Sequence, residues 1–121
     1  MQHNTTEVDV AKLYLPQKAS DSPKDTSNGF PLDIVGKCVK RRASNQYGGF
    51  TEYKASGGWV SNEGMISELI TEDVNVIEII APKDANVPLK NWVNVNLRMI
   101  KKHTNEDMVM ALVNGTKITV E

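Results

Sequence analysis

The chain is 121 residues long, 40% hydrophobic and 24% charged, with a formal net charge of −1 at pH 7. That length supports one core of ordinary size, hence a single domain over 1–121. The near-neutral balance excludes a global field that would draw in nucleic acid or an anionic membrane. One cysteine, Cys38, excludes an internal disulfide and suits a reducing compartment. No apolar run approaches the roughly 20 residues that span a bilayer, and the opening MQHNTTEVDV lacks the basic start and apolar block of a secretory leader. The expected location is therefore cytoplasmic. An aromatic share of 6% implies a modest core, which small domains often supplement by oligomerising.

Residues 1–6 are polar and expected to fray. Val8, Val10, Leu13 and Leu15, with Tyr14 among them, form a nearly continuous apolar run closed by Pro16. That pattern predicts a central strand over 7–15. The stretch 17–29, QKASDSPKDTSNG, is too polar to pack and reads as a surface loop. A first helix is expected from about Pro31, capped by Ser27 or Asn28, with Leu32, Val35 and Val39 on one face. Lys40, Arg41 and Arg42 would then lie at its C-terminus, against the negative end of the helix dipole. A strand over 33–40 is the competing assignment.

A second strand is predicted over 49–57, between the glycine pairs Gly48-Gly49 and Gly57-Gly58. A polar, acid-containing loop over 60–71 follows, too long for a tight hairpin. The most hydrophobic strand runs from about 72 to 81 with one mid-strand charge, Glu78, which must face solvent, an interface or a ligand. Pro82 ends it. A second helix is predicted over 86–103, capped by Asp84 or Asn86. Leu89, Trp92, Val93, Leu97 and Ile100 form its core stripe, and Lys101, Lys102 and His103 its last turn. Met108, Met110 and Leu112 alternate in a fourth strand, and Asn114-Gly115 predicts a two-residue hairpin into a fifth, edge strand over 117–120. The order is β-α-β-β-α-β plus a short C-terminal strand. It predicts an α+β, ferredoxin-like antiparallel sheet with two helices on one face. The bare face calls for a cover, which self-association would supply.

Three pieces carry a family resemblance: G-G-F-T (48–51), G-G-W (57–59) and V-I-E-I-I-A-P-K-D (76–84). In that order, with helices in the gaps, the chain resembles the PII-like superfamily of trimeric ferredoxin-like proteins over about 7–114. One branch fits further, the phage-encoded S-adenosylmethionine (SAM) lyases, formerly called SAM hydrolases. The matching pieces here are Tyr47-Gly48-Gly49, Gly57-Gly58-Trp59, Thr71-Glu72-Asp73, and Asn94-Val95 with Arg98. The resemblance implies a homotrimer that binds SAM at subunit interfaces and splits it into methylthioadenosine and homoserine lactone, with no metal or cofactor. In a host cell's cytoplasm this would remove the methyl donor of restriction systems. Trp59 stands where the family places a functional tyrosine, which leaves Tyr53 as the hydroxyl candidate.

Beside that resemblance, the chemistry defines what the residues must do. SAM carries a sulfonium cation, and lactone formation is intramolecular, so an enzyme chiefly has to hold the chain folded. Aromatic faces support a sulfonium by cation–π attraction, for which Trp59, Tyr53 and Tyr47 are candidates. A carboxylate can anchor the substrate ammonium, for which Glu72 and Glu68 are candidates. Gly48, Gly49, Gly57 and Gly58 allow close backbone approach. The assigned set is Glu72, Glu68 and Tyr53 as catalytic, and Tyr47, Gly48, Gly49, Gly58 and Trp59 as substrate-binding. Each also has an ordinary structural reading: Trp59 and Tyr53 as packing residues, the acids as solvated charges, the glycines as turns or bulges.

Other chemistries find no residues to carry them. His3 and His103 are the only histidines, and with one cysteine no zinc-type ligand set exists. Lys37, Lys40, Arg41 and Arg42 lack interleaved aromatics and read as a solvated helix end, not a nucleic-acid surface. Two alternatives stay open beside the lyase. One is a non-catalytic PII-like binder of a nucleotide or other small molecule, acting as sensor or sponge. The other is an inhibitory protein whose 60–71 loop inserts into a partner.

Overall fold

The computed structural model describes residues 4–16, 32–61, 67–104, 106 and 108–121. The expected 17–29 loop and its caps for the first helix lie outside these residues. The elements follow the predicted order: β1 (Val8–Pro16), α1 (Leu32–Tyr47), β2 (Thr51–Ser61), β3 (Glu68–Pro82), α2 (Leu89–His103), β4 (Val109–Val113) and β5 (Thr116–Val120). The sheet order is β2-β3-β1-β4-β5, with every pairing antiparallel. This is the ferredoxin-like α+β arrangement with an added edge strand. Among the described residues, no helix is long and apolar enough to cross a membrane.

The core forms between one sheet face and the two helices. Ala11, Leu13 and Leu15 of β1, Ile77, Ile79 and Ala81 of β3, and Val109, Ala111 and Val113 of β4 point to that side. Alternation along each strand sends one residue in two to the same face. The helices answer with Val35, Val39 and Ala43 from α1, and Leu89, Trp92, Val93, Leu97 and Ile100 from α2. The spacing of three and four places each set in one stripe. Asn96 is buried in the α2 stripe; its amide donates to the Trp92 carbonyl at 2.8 Å.

Both helix ends differ from the prediction. α1 does not stop at Arg42 but continues to Tyr47, because the i+4 stripe of Val35, Val39 and Ala43 extends to Tyr47, which packs on the core. Gly48 terminates it at φ +89°, its N–H donating to the Ser44 carbonyl at 2.9 Å. Lys40, Arg41 and Arg42 are therefore mid-helix, and the last turn has no basic residue. Lys40 instead lies 3.3 Å from the Glu52 carboxylate on β2. α2 begins at Leu89, with Pro88 as its N-cap residue and no side-chain cap from Asp84 or Asn86. Its last turn carries Lys101, Lys102 and His103, as predicted.

The Asn114-Gly115 hairpin is confirmed, with φ values of 50° and 82°. It is also tied to β1. Asn114 exchanges hydrogen bonds with the Val10 backbone at 2.9 Å and donates to Asp9 Oδ1 at 2.8 Å. That amide, with the Lys83 ammonium 3.0 Å away, holds the Asp9 carboxyl below its ordinary range.

The largest correction concerns β2 and β3. Within the expected loop over 60–71, residues 60–61 and 68–71 are paired strand, Val60 standing opposite Leu69 and Ser61 opposite Glu68, while 62–66 lie outside the described residues. The chain also runs straight through Gly57-Gly58, which does not break the strand. Polar residues misled the prediction because they occupy a ribbon exposed on both sides, where alternation carries no signal. Gly58 is needed for the close approach of the two strands. A Cβ there would lie 2.8 Å from the Ile70 carbonyl oxygen.

Candidate functional site

β1 ends where Pro16 stands opposite Val74. Beyond that point, among the described residues, 56–61 and 68–73 pair only with each other and extend as a two-stranded arm. The sheet face opposite the helices carries Tyr14 from β1, Val74, Val76 and Glu78 from β3, and Met110 and Leu112 from β4. Val76 is only 1% exposed although no described helix covers it. Tyr53 and Tyr14 flank it in one cross-strand row and shield it. Glu78 shares this face, opposite Lys12.

A cavity of about 570 Å³ opens on this face at the base of the arm. Its arm side is formed by Gly57, Gly58 and Glu72, which the register places together. Tyr14, Val74 and Met110 line the sheet beneath. Met108 and Lys117 line it from the β4–β5 side. The volume suits a ligand of nucleoside size, and the lining is mostly apolar with few charged groups, as binding sites commonly are. Glu72 and Lys117 are its acid and its base; Tyr14 supplies an aromatic ring and a hydroxyl.

The assigned residues divide sharply. Glu72 and Gly58 line the cavity. Glu68 shares the face of Glu72 but lies four residues further out, opposite Ser61 near the arm's tip. Tyr53 is on the same face and 39% exposed, one row from the cavity wall at Ala55. The Trp59 backbone pairs with Ile70 in the arm, and its side chain lies outside the described set.

Tyr47, Gly48 and Gly49 are not part of this arrangement. Tyr47 ends α1 on the helical side, where its hydroxyl donates to the Val87 carbonyl at 2.7 Å. Its ring meets Trp92 edge-on at 5.8 Å, and burial raises its phenol pKa. Gly48 caps the helix and Gly49 leads into β2. Removing the hydroxyl in Tyr47→Phe should cost about 1 kcal/mol in thermal or denaturant unfolding.

Several lining residues escaped the sequence, among them Tyr14, Met108, Met110 and Lys117. Their signal was partial. The alternation of Met108 and Met110 was visible, but only the register places Tyr14 opposite Met110. The facing of β5 toward the arm is a product of the sheet as a whole.

No protein-family model matches the sequence, and no curated protein does. Among solved structures, the fold is similar to a phage SAM lyase in complex with S-methyl-5'-thioadenosine, with 14% identity and a TM-score of 0.56. It is also similar to a phage SAM lyase in the apo state, with 14% identity and a TM-score of 0.60. Each match covers 99% of this chain and 94% of the other. At that identity the likeness establishes the shared fold.

Proposed function

We propose that this protein is a SAM lyase of the phage type, cleaving SAM to methylthioadenosine and homoserine lactone. The observation that carries the reading is the cavity at the arm's base. It joins an acid, an aromatic ring and apolar sulfur-bearing side chains in a fold similar to a lyase that holds methylthioadenosine. A carboxylate oxygen of the substrate attacks its own γ-carbon. The γ-carbon–sulfur bond breaks, and its electron pair neutralises the sulfonium to a thioether. No external proton or co-reactant is needed. Glu72 anchors the substrate ammonium, and Tyr14 offers its ring to the sulfonium. The cavity holds the chain in the folded, reactive conformation. The uncovered sheet face supports assembly as a homotrimer, with the cavities at subunit interfaces. In a phage-infected host the reaction would deplete the methyl donor of restriction enzymes.

Incubation of the purified protein with SAM, followed by chromatography, tests this directly. Methylthioadenosine and homoserine lactone should form in equal amounts. No product at high protein concentration removes the enzymatic claim. A non-catalytic binder remains the second reading, favoured by Trp59 where the resemblance places a tyrosine. It would be recognised by thermal stabilisation with SAM or a nucleotide and no turnover.

A further inference from the structure

We propose that the seam between α1 and α2 is a docking surface for an acidic amphipathic helix of another protein. The two helices carry eight of the chain's 14 Lys and Arg and one of its 15 Asp and Glu. The helical layer is therefore strongly positive and the remainder of the chain negative, although the whole is close to neutral. On α1 alone the cations form an ordinary solvated face; the second helix makes them one wall of a groove. Ile34, Cys38 and Arg42 recur every four residues on α1, as Val95, Met99 and His103 do on α2, so each set forms one stripe. The stripes face each other: Arg42 Nη1 donates to Met99 Sδ at 3.1 Å, and Ile34, Val35, Cys38, Met99 and His103 line a groove of about 240 Å³. That lining is apolar apart from His103. Ile34 and Val95 remain 51% and 57% exposed. Lys37 and Arg41 form the next stripe outward on α1, and Arg98 and Lys102 the next on α2; all four are exposed. Among the described residues none of the four is in an ion pair, and the described side chains of both helices include no carboxylate.

An apolar groove between two rows of cations matches one kind of partner. A helix with an apolar stripe lays that stripe into the groove, and Asp or Glu on either side of the stripe meet the cations. Arg41 and Arg98 suit the flanks, since a guanidinium holds a carboxylate through two parallel hydrogen bonds. The repeat from Ile34 to Arg42 spans about 12 Å, enough for roughly two turns of a docked helix. A nucleic-acid backbone would satisfy the cations but leave Ile34 and Val95 uncovered. These helices also expose no described aromatic side chain on which a base could stack. The surface lies on the layer opposite the cavity, so the two can be occupied together.

Fluorescence anisotropy with designed peptides tests this, and no probe involves SAM, so the result is independent of the lyase reading. The probe is a labelled Ala-based helix about 18 residues long, with leucines three and four apart and glutamates on both sides of that stripe. It should bind the parent protein with a Kd of about 10 μM or tighter at low salt. Two control peptides, with Gln for every Glu or Ala for every Leu, should each bind at least about tenfold more weakly. Arg41→Glu combined with Arg98→Glu should weaken the acidic peptide by at least about tenfold, and Val95→Ser by about threefold. Lys90→Glu, in the first turn of α2 and away from the groove, should change it by less than about twofold. The substituted residues are exposed, so the variants should keep the parent's unfolding midpoint. No binding of the acidic peptide, equal binding of the Gln peptide, or a loss with Lys90→Glu as large as with the arginine pair overturns the inference. Tighter binding of a random-sequence DNA duplex or of phosphatidylserine vesicles, lost in the same arginine variant, also overturns it and reassigns the surface to that polyanion.

Discussion

On the proposed lyase reading, Glu72→Gln should lower kcat/KM for SAM by about 10–100-fold, with the fold unchanged. The glutamine keeps the shape and one acceptor oxygen but loses the charge proposed to hold the substrate ammonium. A hydrogen bond to a charged group contributes about 1.5–3 kcal/mol, and 1.4 kcal/mol is a factor of ten. Exposure of Glu72 places the expected effect toward the lower half of that range. The substitution should not destabilise the protein, because Glu72 stands outside the core. Two controls locate the site. Glu68→Gln, near the arm's tip, and Tyr53→Phe, one row beyond the cavity, should each stay within about threefold of the parent. Full turnover in Glu72→Gln together with loss in Glu68→Gln would move the site outward along the arm, and together with loss in Tyr53→Phe inward onto the sheet. Full turnover in all three would remove the assignment even where the reaction occurs.

Leu13→Ala should destabilise the protein by about 2–5 kcal/mol, read as a lower midpoint in denaturant or heat. Leu13 is 0% exposed, on the central strand, between Ile77 of β3 and Ala111 of β4 in the cross-strand row. Truncation loses the transfer free energy of the removed carbons and leaves a cavity that a sheet strand held on both sides cannot collapse to fill. In a domain of this size, that is a fall in Tm of roughly 10–20 °C. Tyr14→Ala, at the adjacent position on the uncovered face, should cost less stability and more ligand affinity. The pair of variants thus separates the two faces of one strand. A loss below 1 kcal/mol for Leu13→Ala would mean that the helix-covered face is not the main core.

Much of the architecture is legible in the sequence. Strong periodicity located β1, the stripe of α2 from Leu89 to Ile100, and the turn at Asn114-Gly115. These signals are local: burial on one side imposes a period, and a positive φ selects Asn and Gly. Glu72 and Gly58 were also named in advance, through family resemblance and chemical type. Failures came where the local signal was weak. The continuation of α1 past Arg42 rests on Ala43 and Tyr47, whose roles depend on what lies beneath them. The arm looked like a loop because Val60, Glu68 and Leu69 are exposed and follow no burial pattern.

By itself, the sequence determined the element order, the helix-facing half of the core and the two-residue hairpin, because each is settled by contacts or torsions within a few residues. Only the tertiary structure decided which side chains share a cavity. Tyr14, Glu72, Met110 and Lys117 come from four strands spread over most of the chain, and pairing register alone makes them neighbours. Register is a long-range property: a slip of one residue would turn each of them to the helical face. The same pairing, not composition, made residues 56–61 and 68–73 an arm and placed its base beside the cavity.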